Sequence, residues 1–169
     1  MTKVTVSMMK KICKNIKLVI TDVDGILTDG GMYYSEKGEI LKKFNTRDGM
    51  GFELLRNHHI STVILTREKS NIVITRGKKI KADEVFIGIT KKEEKLKEIC
   101  KKYSILPENI AYLGDDINDM EIMKLIGFPA TCNDGILEIK EISKYISKLK
   151  GGEGVFRDVV DLILKYKFQ

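Results

Sequence analysis

The sequence predicts an α/β fold: a parallel sheet with helices on both faces and a β-hairpin inserted after the first strand. Three observations predict it. Short apolar runs of strand length alternate with longer stretches of helical period, the pattern of parallel strands joined by crossover helices. The first such run, Leu18-Val19-Ile20-Thr21, ends in Asp22-Val23-Asp24-Gly25. A second acidic pair, Gly114-Asp115-Asp116, closes a later run. Carboxylates beside buried strands are costly unless something pairs with them, and the carboxyl edge of an open parallel sheet is where such folds bind ligands.

The strands are Leu18–Ile20, Thr62–Leu65, Glu84–Phe86, Ile110–Leu113 and Phe128–Ala130, short apolar runs suited to burial on both faces. The helices are Met50–Asn57, Ser70–Ile80, Lys92–Tyr103 and Asp119–Ile126. Residues 29–44 break the alternation. Gly30-Gly31 and Lys37-Gly38 punctuate two short stretches, Met32–Tyr34 and Ile40–Phe44, which is a hairpin pattern. Such a hairpin serves as a lid or as an interface element, with Tyr33 and Tyr34 packing in the interface. Pro107 marks a turn before the fourth strand. Gly151-Gly152-Glu153-Gly154 breaks the chain before a last helix, Val155–Tyr166, in a tail of residues 151–169. Without repeats or linkers, residues 1–169 are expected to form a single domain.

Composition removes several classes. Lys+Arg is 30 against Asp+Glu 24, a net charge of +6, but the lysines are scattered in pairs over amphipathic stretches. They read as a solvated surface, and no basic-aromatic interleaving points to nucleic acid. No apolar run has the length of a membrane span. The basic residues 1–17 lack the apolar core and cleavage site of a signal peptide. Cys13, Cys100 and Cys132 are odd in number and lack metal-ligand spacing, which fits a reduced cytoplasmic setting.

Further chemistry-bearing residues fall at the same sheet edge. Thr66 follows the second strand, Lys92 lies beyond the third, and Asn118 and Asp119 follow Asp115-Asp116. The set suits phosphoryl transfer. A carboxylate attacks phosphorus once charge repulsion is removed, and Mg²⁺, bound by a few carboxylates plus phosphate oxygens, removes it. Asp22 is the expected nucleophile. Asp24 is the expected general acid, then base, with its backbone carbonyl on the metal. Asp22 and Asp115 supply the other metal ligands. Thr66 and Lys92 hold the equatorial oxygens where transition-state charge collects. Asp116 orients Asp115 or meets the metal through water, and Asp119 steadies Lys92 or caps its own helix. His58 and His59 close a helix and are assigned no catalytic role.

Asp22-Val23-Asp24-Gly25, Thr66, Lys92 and Gly114-Asp115-Asp116 resemble, in order, the four motifs of the haloacid dehalogenase superfamily. The resemblance spans residues 16 to about 168. It implies a Rossmann-like core, Mg²⁺ dependence and an aspartyl-phosphate intermediate. Asp at position 24 is the residue found in the superfamily's phosphatases. The motifs leave no room for a cap domain, so an open site is expected.

Thr28-Asp29-Gly30-Gly31-Met32, Lys43-Phe44-Asn45-Thr46-Arg47-Asp48-Gly49 and the Gly151–Arg157 segment resemble the small tetrameric phosphatases of 2-keto-3-deoxy sugar-acid phosphates. That resemblance implies a homotetramer whose hairpins form the interface, with a neighbouring subunit helping to cover each site. It also implies Arg157 reaching an active site, in cis or in trans. Leu65-Thr66-Arg67-Glu68-Lys69-Ser70 resembles the nine-carbon nonulosonate 9-phosphate enzymes, with Glu68 by the leaving group. Arg76 and Lys79, three apart on one helix face, fit a sugar-acid carboxylate. Thr46-Arg47-Asp48-Gly49 instead resembles the 3-deoxy-octulosonate 8-phosphate enzymes, with Arg47 as a further substrate contact. The nine-carbon acid is the favoured expectation and the eight-carbon acid the alternative.

Two other classes share the scaffold. A non-catalytic partner of a cytidylyltransferase would lack motif residues, and none is missing. A phosphoacceptor receiver would carry its acceptor aspartate on a middle strand, where this chain has Thr66.

Overall fold

Strand β1 (Leu18–Thr21) is buried along its whole length and forms the middle of the sheet. The computed structural model describes residues 5–168; residues 1–4 and 169, the ends of the expected domain, lie outside the described residues. The other elements in chain order are β2 (Tyr33–Ser35), β3 (Gly38–Leu41), β4 (Ser61–Leu65), β5 (Glu84–Phe86), β6 (Ile110–Leu113), β7 (Phe128–Thr131) and β8 (Tyr145–Ile146). The α-helices are α1 (Val6–Asn15), α2 (Thr46–Asn57), α3 (Asn71–Ile80), α4 (Lys92–Tyr103), α5 (Met120–Leu125), α6 (Leu137–Ile142) and α7 (Val155–Phe168).

Among the described residues, six strands form one parallel sheet in the order β5-β4-β1-β6-β7-β8. Leu18 stands opposite Ser61 of β4 on one side and Ile110 of β6 on the other. The chain runs outward through β4 and β5, then returns past β1 to β6. The reversal falls between β1 and β6, the crevice where open α/β sheets hold their ligands.

Side chains alternate across the sheet. Val19, Ile64, Ala111 and Leu113 face α1, α2, α3 and α7, through Cys13, Phe52, Leu55, Val73, Phe156 and Val160. Leu18, Ile20, Val63, Leu65 and Tyr112 face α4, α5 and α6, through Leu96, Ile99, Ile122 and Ile139. The strands are apolar throughout because both faces are covered. The hairpin β2–β3 is an antiparallel pair outside this sheet. It leaves Tyr33, Tyr34, Ile40 and Leu41 exposed. No cap domain occurs among the described residues, and none of their helices is long and apolar enough to cross a membrane.

Three elements were not expected. Helix α1 occupies part of the basic N-terminal stretch; its apolar Met9 and Cys13 recur four residues apart and pack on the core, while its lysines face outward. Helix α6 and edge strand β8 are only six and two residues long, too short for periodicity to register. Helix α2 starts at Thr46, earlier than expected, because the side chain of Asn45 accepts from Arg47 N–H and caps it.

Candidate active site

The ends of β1, β4 and β6 and the loop after β7 surround a cleft of about 420 Å³. Asp22, Asp24, Thr66, Glu68, Asp115 and Asp116 all line it. Lys92 sits behind it as the first residue of α4, fully buried.

Asp22 is 4 % exposed. Its Oδ1 accepts from Val23 N–H at 2.7 Å and its Oδ2 pairs with Lys92 Nζ at 2.8 Å. The same ammonium lies 2.6 Å from Asp119 Oδ1, which also accepts from the Tyr112 hydroxyl at 2.6 Å. Asp119 Oδ2 accepts from Asp115 N–H at 3.0 Å. Of its two expected roles, Asp119 therefore takes the first: it steadies Lys92 and makes no side-chain cap on α5. Asp116 Oδ1 accepts from Ile117 N–H at 2.7 Å, so this carboxylate closes the turn after Asp115. Thr66 Oγ1 accepts from Glu68 N–H at 3.2 Å, which leaves the hydroxyl hydrogen free to donate into the cleft.

The site carries more negative charge than its own cations balance. Asp22, Asp115 and Asp119 present oxygens within 4.8 Å of one another, against the single ammonium of Lys92. Burial pushes the Asp22 carboxyl up to about 7, with the Asp119 charge adding to the rise and Lys92 opposing it. Burial pushes Asp115 up to about 8, helped by Asp22, Asp119 and Asp116. For Lys92, burial acts to lower the pKa, but Asp22 and Asp119 outweigh it and the group stays an ammonium. Asp115 Oδ1 is buried without a hydrogen-bond partner among the described residues. An unpartnered buried carboxylate oxygen beside a second carboxylate is the donor set of a hard divalent cation. Asp119 already accepts from Lys92, Tyr112 and Asp115 N–H and does not line the cleft, whereas Asp22 and Asp115 do; these two are the carboxylates open to a cation.

Backbone shape makes room for this. Gly25 has φ +84°, and a Cβ there would stand 2.0 Å from Asp115 Oδ2. The Gly-rich tail packs against the same loop: a Cβ on Gly151 would meet Gly25 O at 2.3 Å, and Gly152 N–H donates to Ile26 O at 3.0 Å. These glycines buttress the β1 loop.

The expected substrate contacts divide. Glu68 is exposed on the cleft wall. Arg76 and Lys79 do not line the cleft of their own chain; they line a separate pocket with Thr46, Glu53 and Arg56. Arg76 donates to Asn45 O at 3.0 Å and lies over the Phe44 ring. Arg47 lies near Gly154, and Arg157 Nε pairs with Asp161 at 2.8 Å; neither lines the cleft. In one chain the four basic residues are held away from the site by the helices that carry them.

Several neighbours escaped the sequence reading. Asp29 and Met32, which the sequence reading placed only in a family segment and gave no site role, and Asp134, which it did not single out at all, line the cleft. Asp134 lies in Asn133-Asp134-Gly135, a turn signature that marks a loop but no ligand. Lys42 pairs with Asp24 and Glu39, and nothing distinguishes it from the surrounding lysines in the sequence.

A family model for haloacid dehalogenase-like hydrolases matches residues 34–158, a span that begins after Asp22 and Asp24. The 3-deoxy-D-manno-octulosonate 8-phosphate phosphatase of Escherichia coli (strain K12) is 35% identical over 151 residues, 89% of this chain and 80% of that protein. The enzyme of the same name from Haemophilus influenzae is 34% identical over 157 residues, 93% of this chain and 87% of that one. A crystal structure of the Moraxella catarrhalis phosphatase of that name, in complex with magnesium ion, phosphate ion and KDO, has a TM-score of 0.93 at 33% identity, covering 97% of this chain and 94% of that chain.

Proposed function

From the premise that this chain belongs to the haloacid dehalogenase-like hydrolases, we propose that it is a Mg²⁺-dependent phosphatase of a 2-keto-3-deoxy sugar-acid phosphate. The observation that carries this reading is the convergence of Asp22, Asp24, Thr66, Lys92 and Asp115 at one sheet edge. The metal named with the Moraxella structure supports Mg²⁺. Asp22, Asp115 and the Asp24 backbone carbonyl would hold it. When bound, it supplies the positive charge that lets a carboxylate approach a phosphate.

Asp22 forms a bond to phosphorus as the ester oxygen leaves, and Asp24 gives that oxygen a proton. Water then bonds to phosphorus, Asp24 takes a proton back from it, and the bond to Asp22 breaks. The Lys92 ammonium and Thr66 hydroxyl donate to the phosphoryl oxygens throughout.

The sugar acid is 3-deoxy-octulosonate 8-phosphate on the strength of the named relatives. One observation favours the nine-carbon reading: Glu68 stands on the cleft wall beside Thr66, where a longer polyol would meet it. The exposed apolar hairpin supports a homo-oligomer, in the family pattern a tetramer. There the basic residues remote from their own cleft, Arg47, Arg76, Lys79 and Arg157, would serve a neighbouring one. The whole of 1–169 acts as one phosphatase domain in the cytoplasm. The test is phosphate release with Mg²⁺, comparing kcat/KM for the eight- and nine-carbon compounds. Tenfold preference, about 1.4 kcal/mol, assigns the substrate, and no release from either overturns the reading.

A further inference from the structure

The substrate proposed above has two anionic ends, a phosphate on its last carbon and a carboxylate on its first. The phosphate end is accounted for. Asp22, Thr66 and Lys92 are buried at and behind the cleft floor, so the phosphoryl group sits deepest and the sugar chain runs outward from it. The carboxylate end then meets a strongly acidic wall, since seven carboxylate side chains line the cleft. Among the described residues Arg67 is the one cationic side chain that lines it.

The backbone around Arg67 is fixed while its side chain is free. Thr66 N–H donates to Phe86 O at 3.0 Å, Ile89 N–H donates to Thr66 O at 3.0 Å, and Gly88 N–H donates to Glu68 O at 3.1 Å. Glu68 N–H donates to the Thr66 hydroxyl oxygen. The residues on either side of Arg67 are thus pinned to the end of β5 and the loop after it. The Arg67 side chain is exposed and makes no ion pair or hydrogen bond among the described residues. Lys42, Lys43 and Lys92, in contrast, each pair with a carboxylate that lines the cleft. A guanidinium presents a planar fork that matches a carboxylate with two parallel hydrogen bonds. We propose that Arg67 binds the substrate carboxylate from within the same chain, and so selects sugar-acid phosphates over phosphates that lack a carboxylate. Arg76 and Lys79 line a separate pocket of their own chain, so Arg67 is the contact that needs no neighbouring subunit. This inference rests on the sugar-acid reading given above.

The experiment compares a substrate that has the carboxylate with one that lacks it. We would measure kcat and KM for the unaltered enzyme, Arg67→Gln, Arg67→Lys and Arg76→Gln. The substrates are p-nitrophenyl phosphate and the better of 3-deoxy-octulosonate 8-phosphate and a nonulosonate 9-phosphate. Arg67→Gln is expected to lose at least about tenfold more in kcat/KM on the sugar-acid phosphate than on the aryl phosphate, mainly as a rise in KM. Arg67→Lys keeps the charge without the fork and is expected to shift the same ratio by less; it serves as the test if Arg67→Gln does not fold. Equal losses on both substrates place Arg67 on the phosphate and overturn the inference, as does no loss on either. A selective loss in Arg76→Gln with none in Arg67→Gln gives the carboxylate to a neighbouring subunit and also overturns it. Hydrolysis of the aryl phosphate alone by the unaltered enzyme overturns the sugar-acid reading itself.

Discussion

Lys92 and Asp119 are both fully buried, and their ammonium and carboxylate meet at 2.6 Å across 27 residues of chain. Asp119 also accepts from Tyr112 and from Asp115 N–H, so one side chain joins β6, the β6 loop and the start of α4. Removing this carboxylate leaves the buried Tyr112 hydroxyl and the Asp115 N–H unpaired while Lys92 keeps Asp22, a cost of about 1–3 kcal/mol for a buried group left unsatisfied. Asp119→Ala is therefore expected to be destabilised by that amount in urea unfolding, and Asp119→Asn by clearly less. Equal stability of the alanine variant and the unaltered protein would show that these contacts contribute nothing.

Asp22→Asn separates catalysis from stability. Loss of the nucleophile should lower kcat by about 10⁴–10⁶. Without metal, the same change removes a buried carboxylate raised to about 7 by burial and by Asp119. The metal-free variant should then match or exceed the unaltered protein in Tm above pH 7. A lower Tm there would mean that the Asp22–Lys92 pair outweighs the repulsion.

Metal and pH are linked through the same group of carboxylates. Asp22 and Asp115 have folded-state values of about 7 and about 8, above their ordinary 3.8. Their contribution to metal-free stability is fully present below the ordinary value and is lost as pH rises through 7 and 8. A cation displaces those protons, so Mg²⁺ binds more strongly at higher pH. Saturation at a hundredfold above Kd adds about 2.7 kcal/mol. Thermal unfolding with and without Mg²⁺ should show a larger Mg²⁺ shift at pH 8.5 than at pH 6.

Gly25→Ala tests the backbone. The added Cβ would overlap Asp115 Oδ2 at 2.0 Å, and φ is +84°, a conformation that costs a residue with a Cβ about 1–2 kcal/mol. The variant should lose stability by at least that amount and bind Mg²⁺ more weakly, because Asp115 must move. Isothermal titration of the metal, compared with the Tm change, reads the two effects separately.

Asp48 offers a pH signature away from the cleft. It lies in the first turn of α2, is 3 % exposed, and accepts from Arg157 N–H at the start of α7. Burial pushes it up to about 6, against the opposing Arg157 amide and Arg76 charge. Its contribution is present below 3.8 and lost as pH rises through 6. Asp48→Asn, which still accepts from Arg157, should gain stability relative to the unaltered protein between pH 4 and 6, by up to about 3 kcal/mol. The difference should be flat above pH 7.

The strands of the sheet were legible because burial on both faces demands unbroken apolar runs, and the acidic ends of β1 and β6 because buried charge needs a reason. The order of Asp22, Thr66, Lys92 and Asp115 along the chain identified the cleft residues for the same reason: each directly follows a strand, or opens the next helix, at one edge. Helix α1 escaped because only Met9 and Cys13 of its residues are buried while the apolar Val6 and Met8 are exposed, which blurs the helical period.

The sequence by itself determined the fold class and which residues meet at the sheet edge, since a parallel sheet brings all strand ends to one side. Only the tertiary structure decided where Arg47, Arg76, Lys79 and Arg157 stand, that Asp119 is spent on Lys92, and that Lys42 is buried against Asp24. Those outcomes depend on helix rotation and on the docking of the hairpin, long-range geometry that leaves no local period in the chain.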